Sequence, residues 1–480
     1  MAHDQNQDGN QGDGESTTFA TIRRAFGEFL WLPSAVIVGF FLLAAGVYLL
    51  DRAGWSWLQP VSNFLRAHIF TDVPATQAFL GTTATGLMTV TSVTISVLLL
   101  ALQQSANAMT TAVFDQFLRR RHNQFYFGFF VGLTLYTLIV LATVNAPFNP
   151  VISAAIGFCL TVVALFLLIV LLYTTINQMR PVEIIGTIHH HILAARRRQR
   201  QLLAATRRRP QYRGAVQRPV RAVRRGTVSA IAVETITSAV QATGVDVEVA
   251  LAVSIGDHVA FHDLIATVHG QTEMAAAAVG EAVERAVKLD RERDITTDPG
   301  YGIEQLTIIA WSSISSAKSD LGPGLLTVYS LRDILARWSL AEKEVESATE
   351  KKPAPVVYED NTFGQLLNAL ESLAVVSSES MQHQIFAEVL HTFARLFDQF
   401  PPAQQQQAET ILLRLLTALG DHVLTTRLDI ALSTLLETLQ NANRTETAQA
   451  VQNAQGTLRR SLGALQSRVT RAEDVVPNTK

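Results

Sequence analysis

Four apolar stretches, Phe29 to Leu50, Phe79 to Leu102, Phe125 to Val144 and Val151 to Thr174, crowd the first third of this sequence. A helix that crosses a hydrocarbon core about 30 Å thick needs about 20 residues, and each stretch reaches that length. Charges such as Glu28 and Asp51 stand only at the edges. No water in hydrocarbon can satisfy a backbone N–H or C=O, so each stretch must close its own hydrogen bonds as a helix. The expected fold is a four-helix transmembrane domain joined to a soluble α+β domain with a small β-barrel or sandwich and a C-terminal helical bundle.

Hydrophobic residues make up 48% of the 480 and charged residues 17%, with the apolar excess lying between Phe29 and Tyr173. The remainder has soluble composition, and the length calls for two or three units. Residues 1–28 read as a disordered tail without a signal peptide. Residues 29–174 form the membrane domain, 175–225 a basic juxtamembrane helix or linker, and 226–347 the α+β domain. Residues 348–360 read as a second linker, 361–470 as a helical domain and 471–480 as a tail. The single cysteine, Cys159, lies inside an apolar run and excludes an intramolecular disulfide or a cysteine-based metal site.

Arginine distribution sets the expected orientation. Arg23 and Arg24 precede the first span, Arg119, Arg120 and Arg121 lie between the second and third, and a dense arginine segment follows the fourth. The intervening loops hold only Arg52 and Arg66. Both termini are expected on the cytoplasmic side of a bacterial inner membrane, with Trp31 at the inner interface and Trp55 and Trp57 at the outer one. Pro147 and Pro150 end the third helix and start the fourth, making an antiparallel hairpin.

The second span carries hydroxyls where a lipid-facing helix would carry Leu and Val. Thr82, Thr85, Thr89, Ser92 and Ser96 recur at alternating spacings of three and four, and Gln103 follows seven residues later. They form one stripe along a helix. Close helix packing explains such a stripe, and so does the polar lining of a conduit in an oligomer.

Residues 194–225 contain twelve arginines and no acid. Arg196, Arg197, Arg198, Arg200, Arg207, Arg208 and Arg209 are the candidates for anionic headgroups, each contributing about 1 kcal/mol near a membrane surface. Nucleic acid is the weaker alternative, since only Tyr212 interrupts the run and no nucleic-acid fold surrounds it. His189, His190 and His191 are consecutive and point in three directions on a helix, which suits no single metal. Neither a metal nor a cofactor is expected.

In the soluble part, Thr227 to Val233, Val245 to Val253 and Ile265 to Val268 read as strands and Thr235 to Ala242 as a helix. The Gly256-Asp257-His258-Val259 turn is similar to that of biotinyl and lipoyl carrier domains, but the first lysine is Lys288, so no swinging-arm lysine exists. Asp298-Pro299-Gly300 opens a helix from Ile303 to Ile314, and about five amphipathic helices follow between Phe363 and Val469. No Gly-Lys dipeptide, His-Glu-x-x-His or Gly-x-Ser-x-Gly occurs, so no catalytic residues are assigned and no enzyme is expected.

Over roughly residues 28 to 340 the chain resembles a bacterial family of predicted membrane proteins, domain of unknown function 2254. The resemblance rests on Leu32-Pro33, Leu49-Leu50-Asp51-Arg52, Ser96 with Leu99 and Leu102-Gln103, and Phe117-Leu118 before the arginines. It continues through Gly128-Phe129-Phe130-Val131-Gly132, Tyr136, Val253-Ser254-Ile255-Gly256-Asp257, Asp298 to Leu306 and Ile309-Ala310. The chain departs from the pattern at Ile176-Asn177, His262, Ser312 to Ser315 and Ser319 to Leu321. The resemblance implies architecture and no activity. The functional expectation is a homo-oligomeric, channel-like or transport-related membrane protein with a cytoplasmic regulatory domain. The alternative is a membrane-anchored scaffold that recruits a cytoplasmic protein through its C-terminal helices.

Overall fold

The computed structural model describes residues 30–53, 55–108, 121–178, 180–212, 214–315, 320–347 and 353–461. The N-terminal tail, Arg23, Arg24, Arg119, Arg120, Arg213, Ser319 and the C-terminal tail lie outside them. The chain divides into two compact units, residues 1–180 and 181–480.

The first unit holds α1 (Trp31–Ala53), α2 (Gln59–His68), α3 (Val73–Ala108), α4 (Arg121–Thr143) and α5 (Val151–Gln178). Among the described residues four helices, α1, α3, α4 and α5, are long and apolar enough to cross a membrane. The short α2 was not expected; Pro60 lies in its first turn, where the missing N–H costs nothing. Helix α4 is central, packing against α1, α3 and α5. Gly128 and Gly132, one turn apart, let α1 come close: a β-carbon at Gly128 would lie 2.8 Å from Pro33 Cα, and one at Gly132 would lie 2.5 Å from the Phe40 ring. Thr91 and Thr134 hydroxyls meet at 3.4 Å between α3 and α4.

Asp51, near the end of α1, fastens α5. Its carboxylate accepts from Ile152 N at 3.1 Å, Ser153 N at 2.9 Å and Ser153 Oγ at 2.6 Å. Those two amides belong to the first turn of α5, where no helical carbonyl is available, and a carboxylate there also meets the positive end of the helix dipole. Tyr136 of α4 donates to Ser153 O at 2.9 Å, so three helices meet at one turn.

The second unit begins with α6 (Pro181–Ala205), β1 (Val216–Arg221), β2 (Gly226–Ile231), α7 (Val233–Thr243) and β3 (Val247–Leu251). Then come β4 (His258–Val259), β5 (Leu264–Gly270), α8 (Glu273–Ala286), β6 (Val287–Asp290), α9 (Pro299–Ser315), α10 (Gly322–Ser347) and β7 (Val356–Val357). Five α-helices close the described chain: α11 (Thr362–Glu379), α12 (His383–Leu396), α13 (Pro402–Ala418), α14 (Thr426–Asn441) and α15 (Thr445–Ser461).

Two sheets form, ordered β1-β5-β3-β7 and β4-β2-β6. Among the described residues they close no barrel. Val228, Val249, Val268, Ile236 and Val279 from both sheets, α7 and α8 share one core. Helix α7 ends on Gly244 with φ at 65°, the left-handed cap glycine tolerates best. The Thr272 side chain caps α8 by accepting from Ala275 N. Two segments depart from expectation. Residues 216–221, read as helix or linker, form β1, which pairs antiparallel with β5 and turns Val220, with Val216 beside it, into the core. The stretch read as a linker contributes β7, which pairs in parallel with β3.

His422, between α13 and α14, is 1% exposed, and its Nδ1 lies 2.7 Å from Nδ1 of His383. Burial, and secondarily His383, push its pKa down to about 3. The unfolded chain, titrating near 6.5, therefore takes up a proton first as pH falls. This contribution is fully present above pH 6.5 and erodes below it until about pH 3. Chemical denaturation should show roughly 2 kcal/mol less stability at pH 5 than at pH 7 from this group, and His422→Phe should remove that part of the slope. In the membrane unit, Asp51→Ala leaves three donors unmatched and should cost about 2 kcal/mol, read as a lowered thermal midpoint in detergent.

Candidate functional site

The hydroxyl stripe lies on α3. Thr82, Thr85, Thr89, Ser92, Ser96 and Gln103 are all exposed, while Leu80, Ala84, Leu87 and Thr94 of the same helix are buried. At about 100° per residue, the two sets occupy opposite sides. Packing among the described residues thus uses the other face and leaves the stripe exposed. Four of its five hydroxyls turn back on their own helix: Thr82 donates to Ala78 O, Thr85 to Gly81 O, Thr89 to Thr85 O and Ser96 to Ser92 O, at 2.8 to 3.0 Å.

The arginine segment divides into inward and outward members. Arg196 of α6 is buried, ion-paired with Asp360, hydrogen-bonded to Gln199 and stacked 4.1 Å from the Trp338 ring centroid. Arg207 reaches Glu248 on β3, a carboxylate with no solvent exposure, at 2.7 Å. The same carboxylate accepts from Gln211 N and Tyr212 N at 3.1 and 3.2 Å. For these two the headgroup expectation is corrected: a buried carboxylate requires a cation and hydrogen-bond donors, and each arginine serves that need inside the fold. Arg197, Arg198, Arg200, Arg208 and Arg209 are exposed, with Arg198 also donating to Thr296 O at 3.0 Å.

The glycines of the two soluble motifs mark close packing. Gly256 has φ at 95°, and a β-carbon there would meet the Asp298 carboxylate at 2.5 Å. Asp298 in turn receives Arg293 Nε at 2.7 Å and Tyr301 N at 3.0 Å, which starts α9. A β-carbon at Gly302 would strike Ile192 of α6 at 2.4 Å. At the departure His262, φ is 72°, the left-handed region that favours glycine, so this histidine carries backbone strain. Ser313, near the end of α9, donates to Asp320 O, two residues before α10.

A Ser-His-Asp relay escaped sequence reasoning because its parts lie far apart in the chain. His189 Nδ1 lies 2.8 Å from Ser330 Oγ, and its Nε2 lies 3.1 Å from Asp333. Burial lowers the His189 pKa, against the opposing pull of Asp333. Ser330 is buried inside α10, where backbone N–H groups close helical bonds and offer no oxyanion donors. The relay therefore serves as a clamp between α6 and α10. Among the described residues no group of three or more His, Cys, Asp or Glu could hold a metal ion.

A cavity of about 830 Å³ opens between Arg208 and Arg209, the segment Tyr358 to Asn361, the start of α11 and α13. Sequence reading could not find it, since its walls come from three separated stretches.

The division of the arginines is testable by single substitutions and denaturation. Arg196→Ala should cost about 3 kcal/mol by leaving Asp360 buried without its cation. Arg197→Ala and Arg200→Ala should each change stability by less than about 0.5 kcal/mol.

No curated protein and no solved structure matches the chain. The model of the family described as "Predicted membrane protein (DUF2254)" matches residues 27–393. That range takes in the four spans, the arginine segment, the Gly256 and Asp298 motifs and the first helices after Asp360. With three quarters of its length in that match, the chain belongs to the DUF2254 family of predicted membrane proteins.

Proposed function

We propose that this protein is a multi-pass homo-oligomer of a bacterial inner membrane, with both termini cytoplasmic, in which α3 helices from neighbouring copies form the seam of a channel-like assembly. The uncovered hydroxyl stripe carries this reading. Helix α3 buries its apolar side against α4 and α5 and turns a row of six polar side chains away from them. A helix that met only lipid on that side would gain more from Leu and Val, whereas small hydroxyl residues permit close approach of a second helix or line a polar path. The Gly128 and Gly132 pair, the other feature suited to close helix contact, is already occupied by α1. The soluble unit acts in this reading as the regulatory part.

Cysteine cross-linking in native membranes tests the seam. In a Cys159→Ser background, Thr85→Cys and Thr89→Cys should each yield covalent dimers, while Phe166→Cys, on the exposed side of α5, should not. In liposomes the intact protein should pass small ions, and Thr89→Leu should reduce flux at least tenfold. A monomer without flux under any gradient would overturn the proposal.

A further inference from the structure

We infer that the cavity between the Arg207–Tyr212 loop, α11 and α13 binds a phosphorylated ligand of about nucleotide size. This is independent of the seam on α3. The volume, about 830 Å³, falls within the usual range for metabolite sites of roughly 300–1,000 Å³.

The cationic wall is preorganised. Arg207 is held by Glu248, its N–H donates to Val356 O at 2.7 Å, and its carbonyl accepts from Tyr358 N at 3.0 Å. Gln211 N and Tyr212 N are fixed on the same carboxylate. Arg208 and Arg209 therefore stand on a loop pinned at both ends, and both line the cavity. Guanidinium forks of this kind suit the several oxygens of a phosphate.

Charge and backbone act in the same direction. Two acids, Glu359 and Asp360, also line the cavity. Asp360 is engaged by the Arg196 guanidinium and by Thr362, which leaves Glu359 against two arginines. Helix α11 starts on Asn361, whose side chain makes no capping bond; Thr362 N is taken by the Asp360 carboxylate at 3.2 Å, and Phe363 and Gly364 of the same turn face the cavity. First-turn amides attract anions. Gln365, Asn368 and Gln407 supply amide groups for the polar body of such a ligand.

A phosphate could arrive on a soluble nucleotide or on a lipid headgroup, and two arms separate them. The full-length protein in detergent is titrated calorimetrically with ATP, with adenosine as the phosphate-free control, and separately with short-chain phosphatidylglycerol against short-chain phosphatidylcholine. Two variants report on the site. Arg209→Ala alters an exposed side chain, and Gly364→Met enters open space, since a β-carbon there meets nothing within 4 Å. Binding of ATP and not adenosine, or of phosphatidylglycerol and not phosphatidylcholine, weakened at least tenfold by both variants without change in their thermal midpoints, supports the site and names its source. No binding in either arm, equal binding of adenosine, or binding that both variants retain would overturn it.

Discussion

Glu248 sits on a central strand with no access to water, and that single carboxylate organises much of the second unit. A buried charge of this kind is tolerated only with a cation and several donors around it. Arg207 and the amides of Gln211 and Tyr212 meet the requirement. The chain is thereby drawn from the end of α6 across β3, and Arg207 becomes the partner of β7. The pair Arg196 and Asp360 repeats the arrangement one step away, tying α6 to the start of α11 with Trp338 beneath. Replacing one member of either pair leaves a charge in the interior, so both behave as fixed joints.

The membrane unit relies on contacts of another kind. Hydrophobic burial offers little between helices already surrounded by hydrocarbon, so shape and polar contacts decide the packing. Gly128 and Gly132 supply the shape for α1 against α4. Asp51, Ser153 and Tyr136 supply the polar contact at one end of α5. Both devices use residues that also carry the family resemblance, which gives a physical reason for Asp51 at the end of the first span and for two glycines within the third.

The spans were legible because a hydrocarbon core imposes length and polarity on each helix locally. The strands β2, β3 and β5 were legible from alternation and from the Gly256 turn. Strand β1 was hidden by its arginines: Arg218 and Arg221 face solvent, and only Val216 and Val220 report the sheet. Strand β7 is two residues long, and only pairing with β3 defines it. The arginine segment shows the limit most clearly. Composition placed twelve like charges together, but which of them turn inward depends on Glu248 and Asp360, which lie 41 and 164 residues away from their partners. The cavity and the His189 relay likewise depend on distant residues meeting.

The hydroxyls of α3 have a further consequence. Thr82, Thr85, Thr89 and Ser96 each direct their hydrogen to a carbonyl of their own helix. What remains pointing outward is oxygen lone pairs without donors. A surface so arranged is electronegative although it carries no formal charge. At these four positions its natural complements are N–H and O–H groups or a partly dehydrated cation, and the amide N–H groups of the stripe belong to Gln103 at its far end.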